Sequence, residues 1–324
     1  MPCGGSDTEE EVEGAQKPII EVKNVRKVYK MGRERINAVD GVSFTINEGE
    51  FCCLLGTSGS GKSTLLNLIA GIEKVTYGQI LIKGRPIHSM SENKLAKFRQ
   101  NYLGFVFQSY NLMNSMTAVE NVELPLVFKR TSARTRNRAA RDMLTKVGLG
   151  KRMNHKPKEM SGGQQQRVGI ARAFVSKPAI VFADEPTGNL DSRTTIEVMQ
   201  LIKGMASANH QTIVMVTHDN KLAGYADKII HILDGKIQSI EINENPLTGD
   251  ADAALKAAET EKQQAGVAAN ETQQAGVAGA PANDLSDRRA TSKDEGGTQK
   301  EYENNNSPDN ASMVSEGSKE ETSK

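Results

Sequence analysis

The chain has 324 residues, enough for one or two domains with a real core, and its 41 basic residues stand against 40 acidic ones. That balance gives no whole-molecule field favouring nucleic acid. Three cysteines, Cys3, Cys52 and Cys53, are too few and too badly spaced for a disulfide framework, which points to a reducing, cytoplasmic setting. No apolar stretch approaches the roughly 20 residues needed to span a bilayer. The N-terminus lacks the apolar core of a signal peptide, so the chain is expected to be soluble and Cys3 a free thiol.

Residues 1–17 are polar and acidic and are expected to be disordered. From Ile19 to Tyr29 apolar residues alternate with charged ones (Ile20, Val22, Val25, Val28), which predicts a strand. A turn is expected over Met31 to Ile36, then a strand pair from Ala38 to Ile46. An antiparallel piece therefore precedes Phe51-Cys52-Cys53-Leu54-Leu55, an apolar strand that leads into Gly56-Thr57-Ser58-Gly59-Ser60-Gly61-Lys62-Ser63-Thr64. This stretch fills every required position of G-x-x-x-x-G-K-[ST], with a strand before it and an apolar helix, Leu65 to Ala70, after it. The glycines let successive backbone N–H groups turn inward on phosphate oxygens, and the helix adds its positive end. Lys62 then reaches the β- and γ-phosphates and the Ser63 hydroxyl is placed for Mg²⁺. The chain is expected to bind a nucleoside triphosphate with magnesium.

Further along, Ile80 to Ile82 predicts a short strand and turn. Residues 91–160 read as a helical insertion. Within it lie a polar helix from Ser91 to Arg99 and a brief apolar run from Leu103 to Phe107, ending at Gln108. A helix opened by the capping box Thr117-Ala118-Val119-Glu120 should end near Pro125, and an arginine-rich helix runs from Ser132 to Gly148. The almost unbroken apolar runs at 179–183, 212–216 and 229–233, with a helix at about 192–207, predict parallel strands buried on both faces. Composition breaks near Pro246. From there to Lys324 the chain is low in large apolar residues, with one near-repeat (261–270 against 271–280), and is expected to be disordered. The expected domains are thus 1–17, a nucleotide-binding domain over 18–245, and a tail over 246–324.

Two more stretches carry chemistry. Asp184-Glu185 ends the strand at 179–183; paired acids at a strand end are often only solvated, but beside a phosphate loop Asp184 would hold the metal and Glu185 would deprotonate the attacking water. Ser161-Gly162-Gly163-Gln164 opens a helix. It is either a plain capping box or an anion site, because two glycines in a first turn are costly unless something approaches the backbone closely.

Taken together, the Gly56–Thr64 loop, Gln108, Met160-Ser161-Gly162-Gly163-Gln164, Asp184-Glu185, Asn189-Leu190-Asp191 and His218 resemble the nucleotide-binding subunit of an ABC transporter over about 19–240. The resemblance implies an α/β P-loop NTPase core with a parallel sheet, an N-terminal antiparallel β subdomain and an inserted α-helical subdomain. It implies ATP hydrolysis in a head-to-tail homodimer around two ATP molecules, with Ser161 and Gly163 of one subunit meeting the γ-phosphate held by its partner's loop. Gln108 would sit near magnesium and water, His218 at the γ-phosphate, Asp191 in the loop crossing the dimer, and Tyr29 against adenine. A separate membrane permease is implied, on whose cytoplasmic face the chain would work. The capped, Pro-ended helix directly after Gln108 points to residues 109–129, with Glu123, Lys129 and the polar face of the neighbouring helices, as the dock. Asn111-Leu112-Met113, Thr117 to Val122 and Leu124-Pro125-Leu126 are closest to the lipoprotein-release, macrolide-export and antimicrobial-peptide-resistance group. Met160 before the serine and the long tail depart from that pattern. Soluble relatives acting on DNA or ribosomes fit less well. Only about a hundred residues separate Gly61 from Ser161, too few for a long coiled coil, and the chain has one module, not two. A kinase has no use for the second phosphate-seeking helix, and no Asn-Lys-x-Asp guanine reader is present to suggest a GTPase.

Overall fold

The computed structural model describes residues 18–32 and 34–247. The expectations of disorder at 1–17 and over most of the tail, and the near-repeat, lie outside the described residues.

In chain order the elements are β1 (Pro18–Met31), β2 (Glu34–Asn47), β3 (Phe51–Leu55), α1 (Lys62–Ile69), β4 (Tyr77–Ile82), β5 (Arg85–Pro86), α2 (Glu92–Tyr102), β6 (Leu103–Phe107), α3 (Ala118–Phe128) and α4 (Ala133–Lys146). They continue with α5 (Gly162–Phe174), β7 (Ile180–Asp184), α6 (Ser192–Ala208), β8 (Thr212–Thr217), α7 (Asn220–Ala223), β9 (Lys228–Leu233) and β10 (Lys236–Ile242). Two sheets form. One is antiparallel, in the order β2-β1-β4-β5; the other runs β10-β9-β3-β8-β7-β6, parallel from β9 to β6 with β10 antiparallel at its edge.

The parallel strands carry near-continuous apolar runs because both faces are covered. Cys52 and Leu54, Ile180 and Phe182, and Val214 and Val216 point into the core shared with the antiparallel sheet, α1 and α2. Their neighbours Phe51, Cys53 and Leu55, Val181 and Ala183, and Ile213 and Met215 point to the opposite core, under α5 and α6. A third cluster joins α3, α4 and α5 through Val122, Leu126, Leu144 and Val168. Cys52 and Cys53 are free and buried, as strand alternation requires, and burial raises both thiols, Cys53 to about 12.

Three expectations about local structure need correction. The turn over Met31 to Ile36 and the strand pair after it are one long hairpin: β1 runs through Met31, β2 starts at Glu34, and the two pair along their length around Gly32 at φ +61°. The apolar run Leu103–Phe107 is not part of a helical insertion but β6, the strand beside β7, with Gly104 packed where a Cβ would meet the Ala173 carbonyl. Helix α3 does not end near Pro125; it continues to Phe128 with the proline inside. An interior proline costs about 3 kcal/mol, but Val119, Val122 and Leu126 are buried against α4 and α5, each at about 1.5–3 kcal/mol, and that packing outweighs the lost bond.

Candidate active site

β3 delivers the glycine loop to α1. Gly56 cannot carry a Cβ because the Ile232 carbonyl of β9 occupies that space, and Gly61, at φ +97°, backs onto the Ala38 carbonyl of β2. The loop is thus wedged between two strands, with Thr57, Ser58 and Gly59 left at the surface and Ser60 buried. Lys62 folds over it, its Nζ donating to the Thr57 carbonyl at 2.6 Å. Burial pulls the Lys62 ammonium below its ordinary range, while the carboxylates of Glu185 and Asp184 act to raise it.

The carboxylates come from the end of β7. Asp184 Oδ1 accepts from the Ser63 hydroxyl at 3.2 Å. Burial lifts the Asp184 carboxyl above its usual range, more than the Ser63 bond and Lys62 lower it. A half-buried carboxylate paired with a hydroxyl is a set of hard oxygen donors. The pair therefore fits magnesium. Among the described residues no group of three or more His, Cys, Asp or Glu could hold a metal ion.

Glu185 turns sharply out of the strand in the left-handed region, φ +44°, its N–H donating to the Val216 carbonyl of β8 at 3.0 Å. Its Oε1 lies 2.9 Å from Nδ1 of His218, the residue after β8. Gln108 follows β6, its backbone carbonyl accepting from Asn189 at 3.1 Å and its side-chain amide lying against Gly188, where no Cβ fits. Gln108, Asp184, Glu185 and His218 thus stand at the carboxyl ends of three adjacent parallel strands, with Lys62 and Ser63 beside them, where open α/β sheets bind ligands.

Ser161, the glycines after it and Asp191 form a second constellation, apart from Tyr29. Ser161 caps α5 reciprocally: Ser161 Oγ accepts from the Gln164 N–H at 3.4 Å and Gln164 Oε1 from the Ser161 N–H at 3.1 Å. The two glycines have neighbours within this chain: a Cβ on Gly162 would press on the Tyr110 hydroxyl, and one on Gly163 on the Thr194 methyl. Asp191 caps α6, accepting from the N–H groups of Arg193 and Thr194 and from the Thr194 hydroxyl at 2.6 Å, and these bonds, those from Thr194 first, hold its carboxyl low. Thr194 therefore bridges Asp191 to Gly163. Tyr29, on β1, donates its hydroxyl to Glu73 at 2.5 Å, is also bonded to Thr64, and has Lys27 Nζ 5.0 Å from its ring centre.

Sequence reasoning passed over Glu73, Tyr110, Arg172 and Gln166. Arg172, on α5, donates to the Tyr110 and Asn111 carbonyls at 2.8 and 2.5 Å, and both of those residues have left-handed backbones. Only the proximity of Tyr110 to Gln108 hinted at this.

Fold and site define a P-loop ATPase. Residues 39–188 match the family described as ABC transporter. An ABC transporter ATP-binding protein of Methanocaldococcus jannaschii is 48% identical over 222 residues, covering 68% of this chain and 99% of that protein. The macrolide export ATP-binding/permease protein MacB of Hyphomonas neptunium is 43% identical over 72% of this chain, which spans 36% of MacB. A dimeric post-hydrolysis structure of the ATP-binding cassette MJ0796, bound to ADP and Pi, superposes with a TM-score of 0.66 at 44% identity, covering 69% of this chain and 99% of that one. The chain belongs to the ABC transporter ATP-binding proteins, and it is an ATPase of that family.

Proposed function

We propose that this ATPase drives a separate membrane permease of the export or release type, working at the cytoplasmic face of the membrane as a head-to-tail homodimer. The observation that carries the chemistry is the meeting, at one sheet end, of the Ser63–Asp184 pair (3.2 Å) and the Glu185–His218 pair (2.9 Å) beside Lys62. The loop from Gly56 to Thr64 cradles the phosphates of ATP, and Lys62 exchanges its bond to Thr57 for the β- and γ-oxygens. Ser63, Asp184 and Gln108 would hold Mg²⁺, which would supply positive charge against the phosphate oxygens. A water oxygen bonds to the γ-phosphorus, its proton passes to the Glu185 carboxylate, and the bond to the β-bridging oxygen breaks, leaving ADP and phosphate. His218 keeps Glu185 aimed. Tyr29, fixed by Glu73, offers its ring to the adenine.

Ser161, Gly163 and Asp191 belong to a constellation of their own, and the dimer reading gives them their role against the partner's nucleotide. The dimeric MJ0796 structures and the fusion of ATPase and permease named in MacB support the dimer and the permease. Among the described residues no helix is long and apolar enough to cross a membrane. The dock has a candidate: a groove of about 600 Å³ between α2 and α3, beside β6 and lined by Ile72, Lys97, Phe107, Leu124, Phe128 and Arg172. Phe128 is 68% exposed there. Glu123 and Lys129 do not face it freely. Glu123 staples α3 to α4 through Arg136 and Asn137, and Lys129 donates to the Ser176 carbonyl.

The deciding experiment is single-turnover hydrolysis by Glu185→Gln under saturating Mg-ATP. A loss of about 10²–10⁴-fold with retained ATP binding is expected; a rate within a few-fold of wild type overturns the assignment of the base.

A further inference from the structure

Helix α5 carries a polar side chain that the mechanism leaves unused. Gln166, on the second turn after Ser161, is completely buried. Its Nε2 donates to the carbonyl of Pro186, the residue after Glu185, while its Oε1, equally buried, has no hydrogen-bond partner. A fully buried amide with one end unsatisfied is an expensive choice where Leu or Met would fill the space, so the donor end must matter.

What it grips is a strained turn. Glu185 holds a left-handed φ of +44°, a conformation that persists in a residue other than glycine only where the surroundings over-determine it. Two backbone bonds contribute: the Glu185 N–H to Val216 at 3.0 Å, and the Gly188 N–H to the Glu185 carbonyl at 3.1 Å. Between them Pro186, itself buried, has no N–H to give, and Gln166 holds its carbonyl. Gly169, one turn further on, packs beside both groups: a Cβ there would stand at ordinary contact distance, 3.7 Å, from Gln166 Oε1 and from the Tyr110 carbonyl. Gln166 therefore lies between the turn that carries Glu185 and the segment after Gln108, on the helix whose first turn is Ser161.

We propose that Gln166 is the positioning residue for Glu185: its bond to the Pro186 carbonyl keeps the left-handed turn, and so the carboxylate beside His218, in register with helix α5. This inference rests on the reading of Glu185 as the base. It makes base alignment depend on where α5 stands, so a displacement of the Ser161 end reaches Glu185 through one hydrogen bond. Gln166 touches no substrate.

The test uses the full chain with Gln166→Met, which keeps length and removes the donor, and Gln166→Glu, which is isosteric and, ionised, offers only acceptors. Glu185→Gln and the double variant Gln166→Met/Glu185→Gln complete the set. Each is measured for single-turnover hydrolysis and for affinity toward a fluorescent ATP analogue. A slightly misplaced base predicts a hydrolysis loss of roughly ten- to hundredfold in either Gln166 variant. Affinity should stay within about twofold of wild type, and Gln166→Met should add less than about twofold once Glu185 is already Gln. Hydrolysis within twofold of wild type overturns the proposal, as does an affinity loss matching the rate loss or full additivity in the double variant. If Gln166→Met does not fold, Gln166→Glu decides by the same two readouts. Wild-type hydrolysis by Glu185→Gln overturns the base and this inference with it, whereas an inactive Glu185→Gln beside a fully active Gln166→Met overturns this inference alone.

Discussion

At the scale of single residues, the site stores cost where it needs reactivity. Asp184 is held above the ordinary carboxylate range chiefly by burial, although Ser63 bonds it. An acid whose folded value is raised keeps its proton in the folded state while the unfolded chain has already released it. The nucleotide-free protein therefore loses stability as pH rises from the usual aspartate value through the raised one, and the loss is complete above that window. Asp184→Asn should remove this slope, so that the nucleotide-free variant melts higher than wild type at pH 7 while hydrolysing ATP far more slowly. Melting curves across pH 4–8 check it; a variant that melts lower at neutral pH would mean that the folded protein already satisfies the carboxylate. The same economy appears at Glu185, whose strained backbone places the carboxylate against His218.

At the scale of elements, α5 organises the site. Its first turn is Ser161 to Gln164, its middle holds Gln166, and its far end carries Arg172, which draws the Tyr110 and Asn111 carbonyls onto the helix. Removing that guanidinium orphans two carbonyls of a strained loop. Arg172→Met should cost about 2–4 kcal/mol of stability, read from urea unfolding, and should loosen the Gln108 segment. A cost below about 0.5 kcal/mol, the level of an ordinary surface change, would show the loop to be held otherwise. The neighbouring groove makes a separable prediction. Phe128→Glu places charge on an exposed wall of the proposed dock, so permease-stimulated ATPase should be lost while the isolated protein keeps its basal rate and its fold. Equal stimulation of variant and wild type would move the dock elsewhere. Charge reversal at Glu123 is the poorer probe, because it would break the α3–α4 staple first.

At the scale of the whole molecule, the two constellations have to be reconciled. In the proposed dimer the loop and the Ser161 helix end each offer donors to one side of a triphosphate, and a two-fold axis lets each chain contribute one of them to both sites. Two ATP molecules then bind the halves together and loss of the γ-phosphate releases them. Specific ATPase activity of the isolated protein should therefore rise with concentration over a hundredfold range, as dimer accumulates. Ser161→Arg should abolish that rise and leave ATP binding by its own loop intact. Constant specific activity in a protein that stays monomeric would reject the dimer. Among the described residues the Leu247 N–H donates to the Gly224 carbonyl at 2.9 Å, so the folded part reaches past the expected boundary at 245. A chain ending after Leu247 should keep its melting temperature and hydrolysis rate. The M. jannaschii relative is matched over 99% of its length by 68% of this chain, which supports an ATPase unit that does without the remainder.

Much of this was legible in the one-dimensional chain. Gly56 to Thr64 announces itself because backbone N–H groups can surround phosphate only with glycine at those positions, and the apolar runs at β3, β7 and β8 announce buried parallel strands because only sheets covered on both faces are apolar throughout. Ser161 and Thr117 sit at helix starts because capping is local chemistry. What lay beyond reach depended on residues far apart in sequence. Pro125 reads as a stop, yet α3 passes through it, since the packing that outweighs the lost bond comes from α4 and α5. Leu103 to Phe107 reads as part of a helical insertion, yet pairing with β7 makes it a strand. The glycines at 162 and 163 read as room for a ligand, and the structure shows Tyr110 and Thr194 pressed against them. Gln166 reads as one more glutamine in a row of three; only the folding of α5 against the turn after β7 brings it to the Pro186 carbonyl. Local hydrogen bonding and periodicity are written in neighbouring residues, whereas the grip on Glu185 exists only once the helices have packed.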